Sequence, residues 1–282
     1  PGLVPRNEKP FDTVYQRSSV CGVGSSAVVW VVSEVATGHC WACKIVGRGS
    51  RRTAATAPGP LPGHAELEVL RQLGNHEDIL GVREYFIEDD RVYLIMELME
   101  EGTDLLSLVM ERGTFCEQDT REVFTRLLRA LEHCHKKGIA HRDVKLENMV
   151  VSNSEDISSV KLIDFGLAGV VTPEKPFLTE RCGTPAFAAP EVLRRRPAYD
   201  TRCDLWSAGT ALYTLLCGEP PFKAENLPEL VRKIHKCALV FDDPAWALVS
   251  PEAVDLVKRL LTPDPDKRIS LSQAFQHPWI LG

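Results

Sequence analysis

Residues 139–150 read Ile-Ala-His-Arg-Asp-Val-Lys-Leu-Glu-Asn-Met-Val, and residues 162–166 read Leu-Ile-Asp-Phe-Gly. The first stretch places an acid, a base and an amide within the six positions 143–148, between two apolar runs. The second adds a carboxylate, Asp164, at the end of another apolar run. Two carboxylates and an amide that converge can hold a divalent metal ion and position a hydroxyl group. These two stretches therefore predict a chemical site that the rest of the chain serves.

The composition suits a globular protein of one large or two small units. The chain has 282 residues, of which 44% are hydrophobic, enough to fill real cores. No run approaches the roughly 20 apolar residues that a membrane-spanning helix needs, and the start shows no signal-peptide pattern. We therefore expect no membrane span. Because the chain begins at Pro1 rather than Met, we expect it to be a piece of a longer protein.

The net charge bears on the kind of binding partner, and the cysteine content bears on the cellular compartment. Thirty-three basic against 39 acidic residues give a net charge of −6, which argues mildly against nucleic acid as the main partner. The nine cysteines are scattered and odd in number, which favours a reducing intracellular compartment, cytoplasmic or nuclear, over a disulfide framework. Cys40 and Cys43 form a C-x-x-C pattern in a strand-like stretch, where positions three apart face opposite sides. This favours plain burial over zinc or redox use.

The motif His-Arg-Asp-x-Lys-x-x-Asn at 141–148, followed by Asp-Phe-Gly at 164–166, resembles the catalytic and metal-binding loops of eukaryotic protein kinases. The resemblance extends over roughly residues 15–280, with further motifs in the family's order and spacing. The Trp-Ala-Cys-Lys, Cys-Gly-Thr-Pro and His-Pro-Trp-Ile stretches are most similar to the calcium/calmodulin-dependent (CAMK and calcium-dependent protein kinase) group of Ser/Thr kinases.

This resemblance implies an α+β fold with two lobes and ATP between them. A small antiparallel β N-lobe with one helix is expected over about 15–97, and a larger, mostly helical C-lobe over about 98–280. Residues 1–14 are mixed and polar, so we expect a lead-in segment with little fixed structure.

The first kinase-like motif is a turn at residues 22–24 with two glycines between β-prone segments. Glycine lets backbone N–H groups approach phosphate oxygens, although a lone G-x-G is more often a simple hairpin turn. The stretch resembles the kinase Gly-rich loop. The resemblance assigns ATP contacts to Gly22, Val23, Gly24 and Val29. The family's third glycine is Ala27 here and its tip residue is Ser26, which points to a looser phosphate grip or slower turnover.

A lysine follows inside an apolar strand, in the stretch Cys-Trp-Ala-Cys-Lys-Ile-Val of residues 40–46. A buried lysine is costly unless it meets a negative partner, whereas a lysine on an edge strand would point to solvent. The stretch resembles the family's Val-Ala-x-Lys strand. This implies that Lys44 holds the α- and β-phosphates and that Ala42 belongs to the nucleotide site.

Two glutamates compete as the partner of Lys44. Residues 47–63 are rich in Arg, Gly, Ala and Pro and indicate a flexible surface loop with a small basic cluster. The cluster consists of Arg48, Arg51 and Arg52. A helix should follow, because leucines recur at positions 67, 70 and 73. In the kinases that the chain resembles, the pairing glutamate stands three or four residues before an apolar residue. The resemblance therefore favours Glu66, which precedes Val69 and Leu70, with Glu68 as the runner-up.

Residues 91–99 begin with a short continuous apolar run, typical of a strand buried on both faces. The run resembles the last N-lobe strand before the kinase hinge. This implies that Met96 guards the back of the nucleotide pocket and that Glu97 and Met99 offer backbone groups to adenine. Asp104, in the polar turn that follows, can cap the next helix or reach the ribose.

The resemblance also assigns roles around the central stretch. Asp143 would accept or orient the substrate hydroxyl, and Lys145 would stabilise charge on the γ-phosphate, as in the Ser/Thr branch. Asn148 and Asp164 would hold Mg²⁺. Two further contacts to ATP are assigned to Glu147 and Val150.

These roles imply a protein Ser/Thr kinase that transfers the γ-phosphate of Mg-ATP to protein or peptide substrates. The alternative is a pseudokinase scaffold, which Ser26 and Ala27 favour, although every charged group of the transfer site is present. A small-molecule kinase of similar design is a third reading. It has no evident use for residues 184–191, which resemble a peptide-docking segment.

The residues before the central stretch predict a helix and two packed histidines. An apolar stripe over residues 124–134 predicts a helix that stops at Gly138 after a basic last turn. His135 and His141 are expected to be packed histidines with backbone partners rather than metal ligands.

Further expectations concern the end of the chain. The resemblance implies that Asp204 anchors the catalytic loop and that Glu191 pairs with Arg268, both as buried charges that need matching. Ser270 should cap the last helix, and His-Pro-Trp at 277–279 should end it.

The segment after residue 166 carries the expected control of activity. Its threonines are Thr172, Thr179 and Thr184. Many kinases need a phosphothreonine here to pair with the arginine of the catalytic loop, Arg142 in this chain. The matching position is Glu180, so we expect partial activity without phosphorylation.

Two carboxylates, Glu147 and Asp104, are expected to flank the peptide cleft and to attract arginine upstream of the phosphorylated Ser or Thr. No EF-hand loop or calmodulin-binding tail is evident in the sequence. Any regulatory region or calcium sensor would therefore lie outside these residues.

Overall fold

The computed structural model describes residues 4–23, 27–47, 63–99, 102–242 and 244–282, with Val23 described by its backbone alone. The chain divides into two compact units, Pro1–Glu100 and Glu101–Gly282. Several residues of the sequence interpretation lie outside the described ranges, namely Gly24, Ser26, Arg48, Arg51 and Arg52. Within the described ranges, every helix is too short or too polar to cross a membrane.

The first unit is built on a five-stranded antiparallel sheet. Its elements are α1 (Phe11–Val14), β1 (Tyr15–Val23), β2 (Val28–Glu34), β3 (Cys40–Gly47), α2 (His64–Leu73), β4 (Val82–Glu88) and β5 (Arg91–Met96). The strand order is β1-β2-β3-β5-β4, so β3 and β5 become neighbours although α2 and β4 separate them in the chain.

Local patterns explain the elements of the first unit. β5 is buried from Val92 to Met96, as its continuous apolar run predicts. In α2, Leu67, Leu70 and Leu73 are buried on one face, and the helix ends at Gly74 with φ of 63°. In β3, Cys40 is exposed whereas Cys43 is buried, as alternation along a strand requires.

The expectation that residues 1–14 have little fixed structure is wrong for the part that is described. The backbone of residues 5–7 exchanges hydrogen bonds of 2.9 and 3.1 Å with Tyr85, which extends the sheet at the edge strand β4. Phe11 is 1% exposed and stacks on Tyr93 with ring centroids 4.6 Å apart. Backbone pairing needs no side-chain pattern, so a polar composition did not reveal it.

The second unit is mostly helical. Its strands are β6 (Thr103–Asp104), β7 (Ile139–Ala140), β8 (Met149–Val151), β9 (Lys161–Leu162) and β10 (Gly169–Val170). Its α-helices are α3 (Leu105–Arg112), α4 (Glu117–Lys136), α5 (Cys203–Cys217), α6 (Leu227–Lys236), α7 (Pro251–Leu260), α8 (Leu271–Phe275) and α9 (Pro278–Leu281). Short 3₁₀ turns occupy Leu146–Asn148, Ile157–Ser159 and Pro244–Leu248.

Helices α4 and α5 form the centre of this unit. The predicted stripe on α4 is buried from Phe124 to Cys134, and the helix stops before Gly138 at φ of 70°. A Cβ at Gly138 would meet the carbonyl oxygen of Val171, so glycine is required there. Helix α5 is buried at every position, in keeping with a sequence that is mostly apolar on all sides.

The C-terminal end confirms one prediction and corrects another. Ser270 caps α8 in a capping box with Gln273, as predicted. Residues 277–279 do not end that helix, because α8 stops at Phe275 and His277 caps a further short helix, α9. Proline at the first helical position starts a helix as readily as it follows one, so the motif was compatible with either end.

Candidate active site

Lys44 of β3 contacts Glu66 of α2, with Nζ 2.6 Å from Oε1. The two side chains are 12% and 7% exposed, so the pair is largely out of water and each charge needs the other. Glu68, the alternative partner, instead pairs with Arg71 at 2.9 Å. The pairing of Lys44 with Glu66 is therefore as the sequence favoured, and the phosphate contact of Lys44 stays a prediction.

Five of the residues assigned to ATP share one face of the sheet in the first unit. Gly22 lies opposite Val29, Val29 lies opposite Lys44, and Ala42 lies opposite Met96. Directly opposed residues of antiparallel strands point to the same side, and so do residues two apart on one strand. Glu97 and Met99 follow β5, outside the strand.

In the second unit, Asp204 holds the backbone of the central stretch. Its carboxylate accepts the N–H groups of His141 and Arg142 at 2.8 Å each and lies 2.9 Å from His135 Nε2. Burial alone would raise the pKa of Asp204, but the hydrogen bond and charge of His135, together with the loop amide, lower it. The predicted anchor is confirmed, and it keeps Arg142 at the unusual φ of 68°.

Asp143 lies at the centre of a hydrogen-bonded group. Its Oδ1 accepts both the backbone N–H and the hydroxyl of Thr184 at 2.8 Å each. Lys145 Nζ lies 3.1 Å from Asp143 Oδ2 and 2.9 Å from the Thr184 hydroxyl. Asn148 Nδ2 donates to the backbone oxygen of Asp143 at 2.8 Å and to Oδ2 at 3.2 Å. These contacts fix the carboxylate while it is 9% exposed.

Asn148 and Asp164 suit a magnesium ion by their chemistry. The amide nitrogen of Asn148 is used by Asp143, which leaves its oxygen as the free ligand atom. Asp164 adopts φ of 63°, and its Oδ1 accepts the N–H of Gly166 at 3.2 Å. Mg²⁺ prefers one or two carboxylate or amide oxygens and completes its shell with water and phosphate. Within the described ranges no group of three His, Cys, Asp or Glu side chains could hold a metal.

Arg142 ties the central stretch to the segment that follows Gly166. Its guanidinium donates to the carbonyl oxygens of Leu167 and Ala168 at 2.5 and 3.3 Å. It also donates to Glu180 Oε2 at 3.2 Å and to the Tyr199 hydroxyl at 3.4 Å. Burial alone would lower the pKa of Arg142, but these hydrogen bonds to Tyr199 and Glu180 raise it.

Residues 15–280 match the family described as "Protein kinase domain". This chain belongs to the protein kinase family. The predicted two-part α+β organisation is thereby confirmed, and so is the resemblance to the calcium-dependent kinase group.

The kinase domain is similar to several curated proteins. It is 36% identical over 95% of its length to calcium-dependent protein kinase 8 of Arabidopsis thaliana and 37% identical over 94% to calcium-dependent protein kinase 20 of Oryza sativa. These matches cover 49% and 47% of the relatives, so the chain spans about half their length. It is also 35% identical over 95% of its length to a probable myosin light chain kinase of Dictyostelium discoideum, covering 83% of that protein.

A buried ion pair joins two stretches of the second unit that are 77 positions apart in the sequence. Glu191 and Arg268 form a bidentate pair with distances of 2.7 and 2.9 Å, and the side chains are 2% and 0% exposed. Arg268 also donates to the backbone oxygens of Thr262 and Arg202. The pairing predicted from the family is therefore present, with the extra donors satisfied as a buried guanidinium requires.

Three further residues that the sequence analysis assigns to ATP are Asp104, Val150 and Glu147. Asp104 caps α3, accepting from the Ser107 N–H at 2.9 Å, so the capping alternative is confirmed and the ribose contact stays a prediction. Val150 is 9% exposed in β8. Among the described residues, Oε2 of Glu147 is buried without a hydrogen-bond partner, and the ATP contact of this residue stays a prediction.

The histidines are packed, as expected, but one partner differs. His141 lies 3.0 Å from the backbone oxygen of Ile163 and accepts the N–H of Asp143 at 3.3 Å. His135 instead faces the carboxylate of Asp204, so the expectation of a backbone partner is wrong there. The two residues are 69 positions apart, beyond the reach of a local pattern.

Two residues of this network had no role in the sequence interpretation. The sequence marks Thr184 only as a threonine of the docking segment, whereas in the structure its hydroxyl lies between Asp143 and Lys145. The hydroxyl of Tyr199 donates a hydrogen bond to the backbone oxygen of Glu180 at 2.6 Å and accepts one from the guanidinium of Arg142. The one available signal was Gly183, whose φ of 85° places it where a Cβ would collide with the Arg142 carbonyl.

Proposed function

We propose that the chain is a protein serine/threonine kinase domain that transfers the γ-phosphate of Mg-ATP to Ser or Thr hydroxyls of protein substrates. The observation that carries the proposal is the carboxylate of Asp143, held on both oxygens by Thr184, Lys145 and Asn148. Positioning and electrostatic stabilisation account for most of the catalysis of phosphoryl transfer, so a fixed carboxylate beside a fixed lysine supports this chemistry.

Asp143 orients the substrate hydroxyl and accepts its proton as the hydroxyl oxygen bonds to the γ-phosphorus. The bond from that phosphorus to the β–γ bridging oxygen breaks, and ADP leaves. Lys145 lies 3.1 Å from Asp143, where its positive charge can stabilise negative charge on the phosphoryl group during transfer. Thr184 keeps both groups in register through one hydroxyl.

Asn148 and Asp164 would hold the magnesium ion through their side-chain oxygens. A bound Mg²⁺ would supply positive charge to offset the negative charge that develops on the phosphate oxygens. In the first unit, Lys44 would hold the α- and β-phosphates, and Glu66 keeps its ammonium in one place at 2.6 Å. The shared face of Gly22, Val29, Ala42 and Met96 supports the assignment of these residues to ATP.

The pseudokinase alternative is the weaker proposal. Ala27 replaces a glycine of the family motif and is 5% exposed, so it packs rather than projects. The charged residues of the proposed mechanism are all present, and the similar proteins carry kinase names. The presence of these charged residues and the names of the similar proteins both support an active kinase over a scaffold without activity.

Two further proposals concern setting and control. Nine cysteines are free thiols, which supports a reducing compartment, the cytoplasm or the nucleus. Because the similar plant kinases are called calcium-dependent and extend to about twice the matched length, we place any calcium response in segments outside these residues.

The decisive experiment replaces Asp143 by asparagine. Transfer of phosphate from Mg-ATP to a mixed Ser/Thr peptide pool should fall by about 10²-fold or more, whereas nucleotide affinity should stay near that of the wild type. The matched control is Asp89→Asn, the same change at an exposed turn residue with φ of 51°, which asparagine tolerates.

A wild-type rate in Asp143→Asn would contradict the assigned role. Folded wild-type protein that binds Mg-ATP but phosphorylates no peptide would favour the pseudokinase.

A further inference from the structure

We propose that four exposed arginines form a docking surface for acidic side chains that follow the phosphorylated residue in a protein substrate. The arginine cluster consists of Arg181, Arg194, Arg195 and Arg196. This inference rests on the proposed kinase function and adds a specificity element to it.

One arginine of the cluster is held against the other three. The guanidinium of Arg181 donates to the backbone oxygens of Leu193 and Arg194 at 2.5 and 2.7 Å. Arg181 belongs to the segment after Gly166, whereas residues 194–196 lie in the loop before α5. The hydrogen bonds therefore bring four guanidinium-bearing residues to one place on the second unit.

The positive charge of the cluster is not balanced by its surroundings. Among the described residues none of the four arginines forms an ion pair. The acidic residues near them in sequence have other partners: Glu180 with Arg142, Glu191 with Arg268 and Asp200 with Arg202. Arg194 interacts at longer range with Asp264, but Asp264 is already paired with Lys267 at 3.2 Å.

This arrangement differs from the ordinary charged surface of the same unit. On its helices, two exposed basic side chains pair with a carboxylate four positions away: Lys233 with Glu229 and Arg259 with Asp255. Such pairs solvate a helix face and need no ligand. In a chain of net charge −6, four uncompensated arginines at one place instead attract an acidic partner.

The cluster lies a short distance along the chain from the reacting carboxylate. Arg181 precedes Thr184 by three positions, and Thr184 donates to Asp143 at 2.8 Å. Three extended residues span at most about 11 Å. A substrate whose hydroxyl lies at Asp143 can therefore place side chains a few positions away against the arginines.

The chemistry and direction of the occupant follow from the charges. Guanidinium groups bind carboxylates through paired, charge-assisted hydrogen bonds, so aspartate and glutamate fit this surface. The acidic residues Glu147 and Asp104 are expected to take the basic side chains upstream of the acceptor. This leaves the downstream side of the substrate for the arginine cluster.

The test measures the binding of three labelled peptides by fluorescence anisotropy, so it needs no catalysis. Each peptide carries alanine at the acceptor position, and they differ in three glutamates downstream, three glutamates upstream or three glutamines downstream. The wild type should bind the downstream-glutamate peptide about tenfold more tightly than the glutamine peptide, and this gain should shrink at high salt. Upstream glutamates should give no gain.

Matched variants assign the effect to the cluster. Arg195→Gln/Arg196→Gln should lose most of the preference for downstream glutamate without changing affinity for the glutamine peptide. Arg232→Gln/Lys236→Gln removes two exposed positive charges from α6 instead, and it should keep the preference. Equal affinity of the wild type for all peptides, an equal gain from upstream glutamate, or an unchanged preference in the cluster variant would overturn the proposal.

Serine versions of the same peptides, assayed with Mg-ATP, separate this proposal from the proposed function. Phosphate transfer without a downstream preference would reject the docking surface alone. A downstream preference in binding without any phosphate transfer would reject the kinase function and retain the surface.

Discussion

Arg142 donates a hydrogen bond to Glu180 across 3.2 Å, with the arginine side chain 9% exposed and the glutamate side chain 75% exposed. Arg142 is the catalytic-loop arginine, and Glu180 lies in the segment where many kinases carry an activating phosphothreonine. A carboxylate supplies one negative charge, fewer than a phosphate does, and an exposed partner weakens the pair further. The contact therefore favours partial order in this segment without modification.

We predict that Glu180→Ala lowers activity several-fold in protein freed of phosphate, because Arg142 loses its only side-chain carboxylate partner within the described ranges. The matched control is Thr179→Ala, a change at the exposed neighbouring position. The measurement is peptide phosphorylation after phosphatase treatment, with mass spectrometry to show that Thr172, Thr179 and Thr184 are unmodified. Complete loss of wild-type activity on dephosphorylation, with Glu180→Ala equal to wild type, would refute the prediction.

The pairing of Lys44 with Glu66 predicts a selective loss of nucleotide use. Glu66→Gln should lower kcat/KM for ATP by about tenfold or more, because Lys44 keeps its charge but loses the carboxylate that positions it. Glu68→Gln, two positions away, removes only a contact with Arg71 and should leave ATP kinetics unchanged. Equal effects of the two substitutions would mean that this pair is not what positions Lys44.

The buried pair of Glu191 and Arg268 predicts a large loss of stability when one partner is removed. Glu191→Gln should lower the free energy of unfolding by about 3–5 kcal/mol, since it leaves a guanidinium buried and unmatched. Asp266→Asn breaks the exposed pair with Arg202, where the aspartate side chain is 80% exposed, and should hardly move the unfolding midpoint. Urea unfolding of both variants checks this, and a Glu191→Gln midpoint equal to wild type would contradict it.

The packing of Phe11 predicts that the first unit depends on residues before the family match begins. Phe11→Ala should destabilise the domain by about 3–5 kcal/mol, because it empties a site between Tyr93 and Phe86. Phe177→Ala, at a phenylalanine that is 50% exposed, should have a small effect. A version that begins at Tyr15 should unfold at lower temperature than the full chain, and equal melting temperatures would argue against a structural role for this segment.

The lowered pKa of Asp204 predicts a stability contribution that is lost only in acid. A carboxylate whose pKa is lowered by folding stabilises the native state fully above its unfolded value, here 3.8, and stops doing so as pH falls through the folded value. Asp204→Asn should therefore be less stable than the wild type at about pH 5 and above. The gap to wild type should narrow below about pH 4. Chemical unfolding across this range checks the sign, and a gap that widens in acid would contradict it.

The sequence by itself determined the features that local spacing encodes. The stripe of α4, the stop at Gly138 and the burial of β5 follow from periods of 3.6 and from continuous apolar runs. The central motif and Asp-Phe-Gly identified the family, because residues that serve one reaction stand close together in the chain. These features can be predicted without the tertiary structure, because they depend on residues close together in the sequence.

The tertiary structure decided which distant groups meet. Thr184 reaches Asp143 across 41 positions and His135 reaches Asp204 across 69, and neither pairing has a spacing that a pattern can register. The pairing of Lys44 with Glu66 rather than Glu68 depends on where α2 begins, and the sequence alone left Glu68 as a runner-up. The order of residues 5–7 came from backbone pairing at a sheet edge. Such contacts depend on the tertiary path of the chain. A buried charge needs an oppositely charged or hydrogen-bonding partner, and an edge strand needs a neighbouring backbone, and both partners come from distant parts of the sequence.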